Sequence, residues 1–256
     1  MIPLVMPPLS NLRVLVTRPA LQAQSLCDAI AAMGGESWSC PLLTIAPRIT
    51  MPAKRRYDLV IFVSANAAIH GAQLLQSLEA PPQLAAIGQA TAAALKTAGL
   101  EANIIAPPPF NSEALLQLEV LQAPPENILI VRGVGGRDVL RDTLMARGSN
   151  VEVVEVYERS PAVLDESTRA TLSSALRDGA IDVITATSVE IAEVLCSLFS
   201  GEERECLERC AVVAGSRRIA MYLAAHHWRG DVIVSDSPDD AAMLHALTRW
   251  HARART

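Results

Sequence analysis

The chain lacks an excess of positive charge, paired cysteines and long apolar runs, and each absence removes a class of function. Its formal net charge is −5 over 256 residues. General nucleic-acid binding, which needs basic surface to release phosphate counterions, is therefore not expected. Five cysteines, at 27, 40, 196, 206 and 210, form no CxxC pair and are odd in number. That excludes a zinc knuckle and a disulfide framework, and fits reduced thiols in a cytosolic protein. Met1 to Leu9 is apolar but short and has no basic lead, so no export signal is expected. No apolar run reaches the length of a membrane span. The expectation is a soluble, cytoplasmic monomer with no membrane partner.

Catalytic signatures are also missing. The chain has no GxSxG elbow and no HExxH pair. Gly133-Val-Gly-Gly-Arg137 is glycine-rich, but Asp138 stands where GxGxxG needs glycine, and no GK[ST] ending follows. It reads as a tight strand-to-helix turn serving both structure and ligand. His226-His227 beside Trp228 reads as a helix end, and Cys206 and Cys210 lack a second ligand pair. Neither metal nor organic cofactor is expected.

What is present is a repeat. Leu15-Val-Thr-Arg18, an amphipathic run and Gly34 return as Leu129-Ile-Val-Arg132, a similar run and Gly148, at a constant spacing of 114 residues. Asp58-Leu-Val-Ile-Phe-Val-Ser64 is echoed by Asp182-Val-Ile-Thr-Ala-Thr-Ser188. Ala86-Ile-Gly88 is matched more loosely by Val213-Ala-Gly215. A unit this long is too large for a solenoid. It points to two related α/β lobes, and two lobes imply a cleft.

Half the residues are apolar, enough for two cores. Short β-branched runs at 13–17, 59–63, 84–87, 102–105, 128–131, 151–156, 182–186, 211–214 and 231–234 predict strands. Helical spacing predicts helices after the first strand and over 65–78, 90–97, 137–146, 189–199, 217–225 and 239–249, with another capped by Asn111 or Ser112. The alternation predicts parallel sheets covered on both faces. Ser39 to Pro47 and Glu155 to Pro161 are extended, proline-bounded and equivalent in the repeat. They read as paired linkers between lobes. Residues 251–256 read as a frayed basic tail.

Ligands of parallel sheets collect at the carboxyl ends of the strands. Those ends carry Thr17-Arg18, Ser64-Ala-Asn66, Gly88 with Thr91, Arg132-Gly133 with Gly136-Arg137, Thr187-Ser188 and Gly215-Ser-Arg-Arg218. They are hydroxyls, glycines and arginines with almost no acid. Helix N-termini and arginine forks attract anions, so the expected ligand is polyanionic. Tyr157, one of three tyrosines, sits in the second linker. A packed hinge aromatic and a functional phenol are both open.

At these residues the chain resembles the uroporphyrinogen-III synthase family, from about Leu12 to Leu247. The likeness rests on Val-Thr-Arg-Pro at 16–19, Phe62-Val-Ser64 with Asn66, Ala86-Ile-Gly88 with Thr91-Ala92, Leu129-Ile-Val-Arg-Gly133 with Gly136-Arg137, Val156-Tyr157 and Thr187-Ser188. Ile219-Ala220 replaces the threonine of a second Gly-x-x-Thr-Ala motif, leaving Arg217 or Arg218 as the anion donor there. The resemblance implies two flavodoxin-like lobes joined by a two-stranded linker, with repeat units exchanged. Residues 1–38 and 163–256 would form one lobe and 46–156 the other. It implies cyclisation of hydroxymethylbilane with inversion of the last ring and loss of water. Substrate-binding residues would be Arg18, Ser64, Asn66, Gly88, Thr91, Arg132, Gly133, Gly136, Arg137, Ser188, Ser216 and Arg217, with Tyr157 assisting departure of the hydroxyl. The rival reading is a non-catalytic bilobed binding protein for a polyanionic small molecule.

Overall fold

Leu59-Val-Ile-Phe62, Val183-Ile-Thr-Ala186 and Ala211-Val-Val-Ala214 are buried at every residue, as central parallel strands covered on both faces must be. The computed structural model describes residues 6–53 and 56–254. The first half runs β1 (Arg13–Val16), α1 (Ala20–Ala32), β2 (Glu36–Ser39), β3 (Leu43–Pro47), β4 (Leu59–Phe62), α2 (Ala65–Gly71), β5 (Gln83–Ala86), α3 (Gln89–Thr97), β6 (Ile104–Ile105), α4 (Ser112–Leu116) and α5 (Glu119–Gln122). The second runs β7 (Asn127–Gly133), α6 (Val139–Ala146), β8 (Asn150–Pro161), α7 (Glu166–Arg177), β9 (Val183–Ala186), α8 (Val189–Ser197), α9 (Gly201–Arg209), β10 (Ala211–Ala214), α10 (Arg217–Ala225), β11 (Val232–Val234) and α11 (Asp240–Ala254).

The chain divides into two compact units. Unit 1 comprises Met1–Thr44 and Ser160–Thr256, and unit 2 comprises Ile45–Arg159. The chain leaves unit 1 within β3 and returns within β8. These two strands run in opposite directions: the Ala162 N–H donates to Leu42 O, and the Arg48 N–H donates to Val156 O.

Unit 1 holds a parallel sheet ordered β11-β10-β9-β1-β2. Successive side chains of a strand point to opposite faces. Leu15, Ile184 and Val212 accordingly enter one core and Val14, Val16, Val183 and Val213 the other. Unit 2 is ordered β3-β8-β7-β4-β5-β6, and its strands are parallel except for β3. Val60, Phe62, Leu129 and Val131 line one face, and Leu59, Ile61, Ile128 and Ile130 the other.

In unit 1 the strands follow the flavodoxin order 2-1-3-4-5, whose direction of winding reverses between β1 and β9. The parallel strands of unit 2 have the same order if counting starts at β7, so unit 2 is its circular permutation. Its reversal lies between β7 and β4. These reversals are where ligands of such sheets settle.

Several elements differ from the sequence expectation. The helix over 65–78 is α-helical only to Gly71 and continues as a 3-10 turn over Ala72–Ser77. A Cβ at Gly71 would lie 2.5 Å from Val131, so the residue that permits close packing on β7 also weakens the helix. The helix expected from 137 starts at Val139. Helices α7 and α9 were not expected. His251 to Ala254 is not a frayed tail: it is the last turn of α11, and His251 is buried with Nε2 bonded to Ser10 O. The final two residues lie outside the described residues.

Candidate active site

Near the reversal point of unit 2, the turn after β4, strand β8 and helix α2 bring one group of side chains together. Ser64, two residues beyond β4, caps α2 by accepting the Ala67 N–H at 2.9 Å. Tyr157 comes from β8, and its hydroxyl lies 3.1 Å from Ser64 Oγ. Arg159 Nη2 donates to the same phenolic oxygen at 3.0 Å. The His70 ring stands 5.9 Å from the Tyr157 ring, centre to centre. Tyr157 is 3% exposed.

A β-bulge aims this tyrosine. Along β7 and β8 the register holds to Arg132 opposite Glu155, then jumps to Gly133 opposite Tyr157. Val156 is the extra residue, and bulges of this kind redirect side chains beside active sites. The ring then lies on Gly133, where an added Cβ would meet Cζ at 2.4 Å. The Val134 N–H donates to Tyr157 O at 2.9 Å and closes the arrangement.

The strand-end glycines make room for the protein's own side chains. Gly133 admits Tyr157, Gly88 admits Phe110, Gly215 admits Pro238, and Gly136 lies against the Arg132 stem. A side chain at Gly88 or Gly133 would therefore collide with Phe110 or Tyr157. The acid-poor edge is corrected. Arg18, 5% exposed, pairs with Asp240 and donates to Pro238 O at 2.6 Å. Arg132 pairs with Asp138 at 2.9 Å and Glu155 at 3.3 Å. Arg137 pairs with Glu113 at 2.7 Å, and its hydrogen bond holds that carboxyl below its ordinary value. The acids were overlooked because they arrive from helix starts and a neighbouring strand. Arg18, buried, and Arg132, partly buried, act as struts, whereas Arg137 is exposed.

Asn66 and Thr91 are buried in the first turns of α2 and α3. In unit 1, Ser188 caps α8 by accepting the Ile191 N–H at 3.2 Å. Ser216 begins α10 without such a bond, and Arg217 and Arg218 are exposed. Thr187, Ser188, Ser216 and Arg218 line a pocket of about 360 Å³, together with Glu190 and Glu193. A larger groove of unit 2, about 620 Å³, passes His70, Leu75, Pro81 and Leu100 and includes neither Ser64 nor Tyr157. Its lining has no arginine, lysine or carboxylate.

Arg159 was absent from the sequence reading. Its signal was available, because residues two apart on a strand share a face. Among the described residues no group of three or more His, Cys, Asp or Glu side chains could hold a metal ion. Burial pushes the Cys210 thiol up to about 11, with Cys206 and Asp182 adding to the shift, so it is a poor nucleophile.

The uroporphyrinogen-III synthase (HemD) family profile matches residues 24–245. The chain belongs to the uroporphyrinogen-III synthase family. It is 33% identical over 247 residues to the uroporphyrinogen-III synthase of Escherichia coli strain K12, covering 91% of this chain and 99% of the relative. It is likewise 33% identical over 253 residues to the Salmonella typhimurium uroporphyrinogen-III synthase, with the same coverage. Among solved structures, uroporphyrinogen-III synthetase from Helicobacter pylori superposes with a TM-score of 0.60 at 16% identity, covering 94% of this chain and 99% of that one. A mutant Thermus thermophilus uroporphyrinogen III synthase gives 0.56 at 18% identity, covering 95% and 100%. The synthase fold is thus shared where sequence identity is low. No helix among the described residues is long and apolar enough to cross a membrane.

Proposed function

We propose that this protein is a uroporphyrinogen-III synthase, which closes hydroxymethylbilane into uroporphyrinogen III with inversion of the last ring and loss of water. The product is the precursor of haem and sirohaem. The observation that carries the reading is the Tyr157–Ser64 hydroxyl pair at the reversal point of unit 2, in a chain of this family. The terminal hydroxymethyl pyrrole ionises readily to an azafulvene. The protein therefore has to help the oxygen leave and to hold the chain for the inverted closure. Tyr157 supplies the hydrogen bond to that oxygen, and the rest is positioning.

The substrate carries eight carboxylates. In this reading they meet Ser64, Asn66, Thr91 and Arg137 in unit 2, and Ser188, Ser216 and Arg217 in unit 1. Gly88 and Ser216 begin α3 and α10 with no side-chain cap, which leaves first-turn N–H groups for carboxylate oxygens. Gly133 and Gly136 shape the turn. Arg18 and Arg132 hold the strand ends in place rather than meeting the substrate. The reaction as written calls for no metal or organic cofactor, and we place the enzyme in the cytoplasm as a monomer.

The test is incubation with freshly made hydroxymethylbilane, then isomer analysis. The inverted isomer should dominate, whereas a blank closes to the uninverted one. Folded protein that leaves the ratio at the blank value would refute the reading.

A further inference from the structure

Tyr157 and Ser64 hold two hydroxyl protons between them, and their neighbours only donate. Arg159 Nη2 donates to the phenolic oxygen at 3.0 Å, and the Ala67 N–H donates to Ser64 Oγ at 2.9 Å. Neither donor group can accept a proton, since guanidinium and amide N–H carry no acceptor site. The two hydroxyls share one hydrogen bond at 3.1 Å. That bond uses one proton, whichever hydroxyl supplies it. The second proton finds no acceptor among the described residues. It is left for a ligand or for water, so the pair is a net donor of one hydrogen bond.

The backbone builds this polarity. Beyond the bulge at Val156, Tyr157 and Arg159 are two residues apart on β8 and share a face. The Arg159 guanidinium carbon lies 5.4 Å from the centre of the Tyr157 ring. Its donation to the phenolic oxygen is charge-assisted and therefore stronger than a neutral bond. It also opposes the charge that grows on that oxygen as its proton is shared outward.

We propose that Arg159 is a positioning residue that holds the Tyr157–Ser64 pair as a donor to the departing oxygen of the substrate. This rests on the synthase reading. In the step, the C–O bond breaks with its electron pair on oxygen, and the oxygen takes a proton from the pair and leaves as water. The pyrrole nitrogen supplies the electrons for the azafulvene double bond. Its N–H proton then restores the pair.

The experiment is a double-mutant cycle. Arg159→Met and Arg159→Lys are each made alone and with Tyr157→Phe, and kcat and KM are measured on hydroxymethylbilane with isomer analysis. Arg159→Met should lower kcat about tenfold, the scale of one lost charged hydrogen bond, with little change in KM. Arg159→Lys, which keeps a charged donor, should recover most of that loss. With Tyr157→Phe in place, Arg159→Met should cost nothing further, because the oxygen it acts through is gone. Losses that multiply would overturn the inference while leaving the synthase reading intact. So would a rise in KM alone, which would mark Arg159 as a carboxylate binder, or a lysine variant no better than methionine. Wild-type protein that yields only the uninverted isomer would overturn both.

Discussion

The two units carry the same repeat and use it differently. Ser64 and Ser188 occupy equivalent positions, and each caps a helix. Of the two, among the described residues, Ser64 alone shares a hydrogen bond with a second hydroxyl. At the constant spacing of 114, Val156-Tyr157 corresponds to Leu42-Leu43, which are buried in the core of unit 1. The β1–β2 ladder runs without a register shift, whereas β7–β8 has one. Arg18 and Arg132 keep the same strut role, and even the same nitrogen, Nε, is buried without a partner in both. The scaffold is shared, while one bulge and one phenol give unit 2 a hydroxyl pair, the centre proposed above for the chemistry. Unit 1 keeps a hydroxyl-lined pocket suited to binding.

That contrast can be broken most directly at Tyr157. Tyr157→Phe should lower turnover by about 10²-fold or somewhat less, the low end for a general acid, with thermal stability almost unchanged. Ser188→Ala should act mainly on KM, since carboxylates far from the reacting ring are bound alike in ground and transition states. Equal kcat losses at the two sites would erase the division of labour.

A second test sharpens the role of the bulge. Gly133→Ala places a methyl group on the Tyr157 ring, 2.4 Å from Cζ. It should displace the ring, destabilise unit 2 by about 1–3 kcal/mol and reduce kcat. Melting and kinetics on one preparation would check both, and a variant matching wild type in both would show that the ring does not depend on that approach. A third test addresses the struts. Arg18→Ala should cost roughly 1–3 kcal/mol of stability with KM within about twofold of wild type. A large rise in KM at unchanged stability would return Arg18 to the substrate.

The smallest effect concerns acid. Asp165 caps α7, accepting hydrogen bonds from Ser167 Oγ, the Thr168 N–H and Thr168 Oγ1, and these lower its value from 3.8 to about 2. A carboxyl depressed on folding adds stability that is present above 3.8 and lost as pH falls through about 2. Asp165→Asn keeps the cap but cannot titrate. It should flatten acid unfolding over that interval and leave activity alone. Identical acid curves by circular dichroism would show that the cap contributes nothing measurable.

Most strands, their parallel pairing and most helices were legible because buried β-branched runs and helical spacing are local signals, whereas the largely exposed β2 carries no such run. Helix α9 was not, since Gly201-Glu-Glu-Arg-Glu-Cys-Leu-Glu-Arg209 buries little besides Leu207 and Glu208 and so shows almost no apolar period. Helix α7 had a readable cap in Asp165 that went unused. At the site, residue types at strand ends were readable, but their partners were not. Asp240 reaches Arg18 across more than two hundred residues, and Phe110 reaches Gly88 from a proline-rich loop. The bulge at Val156 has no marker in the sequence, because it is a property of register between two strands.

The discontinuity of unit 1 bears on how the protein is made. All of unit 2 emerges from the ribosome as one stretch, Ile45–Arg159, so it can close its cores while synthesis continues. β1 has to wait. Its neighbour β2 follows at once, but its other neighbour, β9, begins at Val183. Until then Leu15 and the edge of β1 stay uncovered, a slow long-range pairing of the kind that limits folding rate. Nascent chains arrested before Val183 should therefore be the ones that recruit chaperones.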